Sequence, residues 1–214
     1  MSESELPMQQ VRVPTNAALK KGRRYLVGYA GTVGKEEGVD LLLQAVQLIV
    51  HHLKRTDIHF GLAGGGAGLD AMRELARDLG VADYVTFTSD ASDLEALEML
   101  TRADICVNPD RAGGARERST LNKVIEYMAL GKPVVQFDLA EGRDSAGEAS
   151  WYARPNDVAD LAQKMVSLLN DEAQRLRMSS RGRERIEHVL SWKHETPRLL
   201  AAYEHLHKPA GELR

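Results

Sequence analysis

Tyr25-Leu26-Val27-Gly28-Tyr29-Ala30 is an apolar run of strand length, followed by glycines at 31, 34 and 38. Val39, Leu43, Val46 and Val50 then recur at helical spacing, which predicts a helix over 39–53. A strand, a glycine-punctuated turn and a helix are the opening of a βαβ unit. Downstream the unit repeats. Residues 59–63 read as a strand broken by Gly64-Gly65-Gly66, and 69–79 as a helix ended by Gly80. Residues 84–87 read as a strand, 93–102 as a helix and 104–108 as a strand. A polar loop, 109–118, leads to a helix over 119–130, stopped by Gly131, and to a strand over 133–137. Beyond Asn156 the pattern is helical, with segments near 157–169, 171–189 and 194–206.

Strands alternating with helices predict an α/β fold: a doubly wound, Rossmann-like parallel sheet covered on both faces, with C-terminal helices. Such sheets bind ligands at the carboxyl ends of their strands. Attention therefore falls on the loops at 31–38, 64–68, 88–92 and 109–119. Residues 1–22 have no periodicity and read as a tail or linker, leaving 23–207 as the domain and 208–214 as a second tail.

Composition narrows the function classes. The chain has 214 residues, 28 Lys and Arg against 31 Asp and Glu, and a net charge of -3, so it has no general attraction for nucleic acid. One cysteine, Cys106, rules out an internal disulfide and points to a reducing, cytoplasmic setting. It lies in the apolar stretch Asp104-Ile105-Cys106-Val107 and reads as a small buried hydrophobe, not a nucleophile. No apolar run approaches the roughly 18 residues of a membrane span, and the polar start of the chain does not read as a signal peptide. His51-His52 and His205-x-His207 read as solvated pairs, so no metal site is expected.

Three segments carry chemistry. In Gly31-Thr32-Val33-Gly34-Lys35, glycines after a strand let backbone N–H groups approach a phosphate, and Lys35 adds a charge. The bland reading is a plain βα turn. The loop is not a dinucleotide fingerprint, because Gly28, Gly31 and Gly34 are three apart. The second segment, Gly64-Gly65-Gly66-Ala67-Gly68, either permits close approach of backbone to a ligand or is a flexible turn. The third is the 119–130 helix. Ser119 or a neighbour can cap it, and Ser119, Asn122, Lys123 and Glu126 fall on one polar face, with Leu121, Val124, Ile125 and Met128 free to face the sheet. A helix N-terminus favours an anion, and Lys123 strengthens that preference. Glu126 lies seven residues beyond Ser119, about 10 Å along the axis. A diphosphate at the helix end therefore leaves its ribose hydroxyls within reach of the Glu126 carboxylate. The bland reading is a solvated face with an i, i+3 Lys–Glu pair.

The string Glu126-Tyr127-Met128-Ala129-Leu130-Gly131-Lys132-Pro133-Val134-Val135, with Gly31-Thr32 and the Gly64 loop, resembles the C-terminal donor domain of family 4 glycosyltransferases of the GT-B fold, of bacterial surface-polysaccharide type. The resemblance covers about residues 25–206. It implies retaining glycosyl transfer from a nucleoside diphosphate sugar, UDP- or GDP-linked, with no obligatory cofactor and no metal. By the same resemblance Glu126 binds the ribose, and the amides around Thr120 and Leu121 hold the distal phosphate. Gly31 and Thr32 face the diphosphate, and the Ser89-Asp90 turn lies near the base. Gly64, Gly65, Ser119 and Asn122 complete the donor site, and Lys123 and Lys35 are the cations that act on the leaving group.

There are departures from the family pattern. The first glutamate of its E-x7-E motif falls on Arg118, with Glu117 one residue early, and Glu37 stands where a basic residue is usual. A full member carries a preceding acceptor-binding domain, which is the expected partner, along with peripheral membrane association of the complete enzyme at the inner face. Alone, the chain is expected to transfer little. Two alternatives remain. A non-catalytic nucleotide-binding or regulatory module fits the short N-terminus. A nucleotide-cofactor oxidoreductase is disfavoured by the missing glycine fingerprint.

Overall fold

The structure, a computed structural model, describes residues 17–89, 92–113 and 122–207. Six strands form one parallel sheet: β1 (Tyr25–Ala30), β2 (Ile58–Ala63), β3 (Val85–Thr88), β4 (Ile105–Asn108), β5 (Val134–Phe137) and β6 (Ser150–Ala153). Their order is β3-β2-β1-β4-β5-β6. The chain builds outward from β1 to β3, then returns to lay β4 against the other side of β1, where Val27 pairs with Ile105 and Gly28 with Cys106. The order in which strands are added therefore reverses between β1 and β4, a switch point of the kind beside which open α/β sheets bind ligands.

Period-2 alternation buries both faces. Val27, Ile105, Val107 and Val135 pack on one side under α1 (Val39–Gln47, continued by a π-turn at Leu48–His52), α2 (Leu69–Asp78) and α6 (Val158–Asn170). Leu26, Cys106 and Val134 point the other way, toward α3 (Asp93–Arg102) and α4 (Asn122–Ala129). Two glycines let α3 sit close to the sheet. A Cβ on Gly28 would lie 3.0 Å from the Ala103 Cβ, and one on Gly61 only 2.5 Å from the Met99 sulfur. A capping box starts α3: Ser92 accepts the Glu95 N–H while the Glu95 side chain accepts the Ser92 N–H.

Cys106 is fully buried, and burial pushes its thiol up to about 12, so it acts as the apolar filler the sequence suggests. Within the stretch read as a tail, Ala17–Lys20 forms one 3₁₀ turn; Leu19 packs on the second core and Lys20 pairs with Asp104 at 2.9 Å. The segment 138–156 holds two elements that periodicity did not reveal: α5 (Ala140–Ala146) and the edge strand β6. Both are short, and α5 is largely polar. They are tied in by the buried Gln136, whose amide donates to Ser150 Oγ at 3.0 Å and Gly142 O at 3.3 Å.

The C-terminal helices are α7 (Glu172–Arg185, continued by a π-turn at Ile186–Leu190) and α8 (Trp192–His207). On α8, Trp192, Leu199, Leu200 and Tyr203 are all exposed. Among the described residues no helix is long and apolar enough to cross a membrane.

Candidate functional site: the cleft beyond β1 and β2

A cleft of about 740 Å³ opens at the carboxyl ends of β1 and β2, between α3 and α4. That volume suits a nucleotide-sized ligand. Its floor is made of small residues, Ala30, Gly31 and Thr32 from the first loop and Ala63, Gly64 and Gly65 from the second, of which the three glycines can present only backbone. One wall is α3, with Asp93, Ala96, Leu97 and Leu100. The other is α4, with Glu126, Ala129 and Leu130.

The two glycine loops interlock. Gly31 N–H donates to Ala63 O at 3.0 Å, Val33 N–H to Gly65 O at 2.8 Å, and Gly64 N–H to Thr88 O at 3.1 Å. Gly64 has φ 134°, and a Cβ there would lie 2.0 Å from Gly31 O. At Gly66 a Cβ would meet Thr32 Cγ2 at 2.9 Å, and at Gly68 the Gly34 Cα at 2.8 Å. The close approach that these glycines permit is thus made by the first loop. Gly65 is more open, with Ser89 O the nearest neighbour at 3.5 Å.

On α4 the sequence pattern divides the residues sharply. Val124, Tyr127 and Met128 are buried, while Asn122, Glu126 and Ala129 are exposed. Tyr127 fixes the helix to the sheet. Its hydroxyl accepts the Ala30 N–H at 2.8 Å and donates to Ala30 O at 3.3 Å. Burial raises the phenol well above its ordinary range, so it stays protonated and keeps this donor. The next residue back, Glu126, consequently faces the cleft.

Lys123, one turn earlier, turns toward the sheet side of the first loop. Its Nζ lies 2.8 Å from Asp110 Oδ1 and 3.3 Å from Glu37 Oε2, and 5.4 Å from the centre of the Tyr29 ring. Glu37 and Asp110 are 2% and 3% exposed. Lys123 thus turns to two buried carboxylates and not to Glu126, so the surface i, i+3 pair is not what holds it. Beside them Asp40 accepts from Arg111, whose Nε donates to Lys35 O at 3.0 Å.

Of the residues singled out from sequence, Gly31, Thr32, Gly64, Gly65 and Glu126 come together around the cleft. Lys123 lies beside Gly31, where a Cβ would meet its Cε at 3.8 Å. Lys35 and Asn122 are exposed and do not line the cleft; Ser89 accepts from Arg73 at 3.2 Å at the edge of the second loop. Ser119, Thr120 and Leu121, with Asp90, Glu117 and Arg118, lie outside the described residues. Sequence reading missed the α3 wall and the Tyr127 anchor. It noted Glu37 only as a departure, because residues 37, 110 and 123 meet through the strand order and not through local spacing. Among the described residues no group of three or more His, Cys, Asp or Glu is arranged to hold a metal ion.

A parallel sheet of this order, with a cleft floored by small residues beside its switch point and an acidic helix wall, defines a Rossmann-like domain of the kind that forms one half of a GT-B glycosyltransferase. Residues 24–171 match the glycosyl transferases group 1 family, and the chain belongs to that family. It is 25% identical over 203 residues to the 2-deoxystreptamine glucosyltransferase of Streptomyces kanamyceticus, covering 92% of this chain and 50% of that one. In solved structures, S. aureus TarM crystallised with UDP matches at TM-score 0.71 and 20% identity, over 82% of this chain and 34% of that one. The C-terminal domain of a group 1 glycosyl transferase from Francisella tularensis matches at TM-score 0.68 and 18% identity, over 84% and 95%. The chain spans about half the length of the curated relatives it matches.

Proposed function

We propose that the switch-point cleft binds the nucleoside diphosphate of a sugar donor, UDP- or GDP-linked, for retaining glycosyl transfer in polysaccharide or glycolipid synthesis. One observation carries this reading: Glu126 shares a single cleft with Gly31, Thr32, Gly64 and Gly65. A carboxylate in that position accepts both ribose hydroxyls. The diphosphate then runs toward Gly31, Thr32 and the start of α4, which begins at Asn122. The base is left to the Gly64–Gly65 backbone and the Ser89 turn. Lys123, beside Gly31, is the cation that supports the diphosphate in this reading, and Lys35 on the same loop would reach it only by turning in from solvent.

In the reaction the bond from the anomeric carbon to the diphosphate oxygen breaks, and the acceptor oxygen bonds to that carbon and gives up its proton. The domain's contribution is electrostatic: amides and cations take up the charge that develops on the leaving diphosphate. An acceptor-binding domain, on the same or another polypeptide, supplies the second wall. The exposed apolar side chains of α8 offer it a surface, and the complete enzyme works at the inner face of the membrane.

Calorimetric titration with a nucleoside, its monophosphate, UDP, GDP and their sugars tests the reading. Saturable binding of a nucleoside diphosphate, tighter than its nucleoside, is expected. Absence of binding by every nucleotide sinks it. A second reading, a nucleotide-binding module without catalysis, is favoured by the engagement of Lys123 with Glu37 and Asp110. Transfer of labelled sugar once an acceptor-binding domain is added would exclude that alternative.

A further inference from the structure

The ammonium of Lys123 has three directions in which to donate. One meets Asp110 at 2.8 Å, one meets Glu37 at 3.3 Å, and the ring of Tyr29 lies 5.4 Å away. Its side chain is only 15% exposed, so water does little to screen these contacts. Tyr29 is fully buried beneath the first loop, and its hydroxyl donates to Thr32 O at 2.7 Å. The cation best placed beside Gly31 is therefore already neutralised from below.

We infer that Glu37 and Asp110 act as internal competitors for Lys123, so that a donor's diphosphate gains this cation only by drawing it off two buried carboxylates. The inference rests on the donor-binding reading and sharpens it. The cleft's preference for a diphosphate over a bare nucleoside is set by how tightly Lys123 is held, and the three residues form a built-in brake on anion binding. A nucleoside, which carries no charge to compete for Lys123, is indifferent to the brake.

The test compares two near-isosteric variants, Glu37→Gln and Asp110→Asn, each removing one competing charge while keeping a side chain of the same shape. Affinities of uridine, guanosine, UDP and GDP are measured by calorimetry on the whole 214-residue chain, with urea unfolding to verify that each variant is folded. Each variant is expected to tighten the diphosphate about tenfold and to leave the nucleoside unchanged. A purely structural role would lower stability without moving that ratio. An unchanged or lowered ratio in a folded variant overturns the inference, and either variant suffices to decide. If the native chain binds no diphosphate and the variants do, the brake stands and the donor reading fails for the native protein. If neither native chain nor variants bind it, both fall.

Discussion

The hydroxyl of Tyr127 stands in for a strand at the end of β1, accepting the Ala30 N–H at 2.8 Å and donating to Ala30 O at 3.3 Å. Gly31 N–H points to Ala63 on β2, so the alternation of the strand turns the Ala30 groups the other way, toward the gap where β4 diverges. Tyr127→Phe leaves a buried donor without its partner and is expected to cost about 2 kcal/mol in urea unfolding. Nucleotide affinity should fall as well, because the same contact sets the rotation of α4. A variant of native stability and native affinity would show that the helix is held by other means.

Glu126 is exposed on the cleft wall, so its replacement should not disturb the core. Glu126→Ala is expected to change stability by less than about 0.5 kcal/mol. Loss of two charge-assisted hydrogen bonds to a ribose should weaken nucleoside and nucleoside diphosphate alike, by roughly ten- to a hundredfold. Calorimetry separates this from a phosphate effect, which would spare the nucleoside. Undiminished nucleoside binding would remove Glu126 from the site.

His59 lies buried in β2 with Nε2 2.9 Å from Thr86 Oγ1. Burial, aided by the charges of Arg23 and Lys21, lowers its pKa from 6.5 to about 4. Between those values the unfolded chain takes up a proton that the folded chain refuses. Stability therefore falls as pH drops from about 6.5 to 4 and levels off below, by up to about 3 kcal/mol from this group. Denaturant midpoints measured across that window should slope for the native chain and flatten for His59→Gln. Parallel slopes would assign the acid sensitivity elsewhere.

Gly64→Ala sets a Cβ 2.0 Å from Gly31 O at a φ of 134°. A cost above about 2 kcal/mol is expected, together with loss of nucleotide binding as the first loop is displaced. Gly65→Ala is the control. Its Cβ would meet only Ser89 O at 3.5 Å, so stability should change by less than about 1 kcal/mol. Equal stabilities for the two variants would mean that the loops are not interlocked in solution.

Much of this architecture is legible in the sequence, because five of the strands carry apolar runs, the first two running directly into glycine, and α3 spans the predicted 93–102. Glu126 is equally legible, since helical spacing alone puts it opposite Val124 and Met128. What escapes is non-local. Ser150-Trp151-Tyr152-Ala153 is too short and too mixed to announce an edge strand; it forms because β5 offers a parallel partner, Val134 to Ser150 through Phe137 to Ala153. The cluster of Glu37, Asp110 and Lys123 is invisible for the same reason, as residues 86 and 13 positions apart are joined only by the crossover of the sheet. The glycines of 64–68 read in the sequence as an approach to a ligand or a flexible turn; the group packed against Gly64, Gly66 and Gly68 is the chain's own Gly31–Gly34 loop, which no local pattern announces.

In the cleft floor the glycines of the interlocked loops present only peptide groups. Peptide groups are the same whatever side chain the codon specifies, so substitution there can break the floor but hardly retune it. Heritable change in ligand preference is thereby channelled to the walls, to positions such as Leu97 on α3 and Ala129 on α4, where a new side chain alters shape without touching the fold. The lineage of such a domain should diversify at its sides while its base stays fixed.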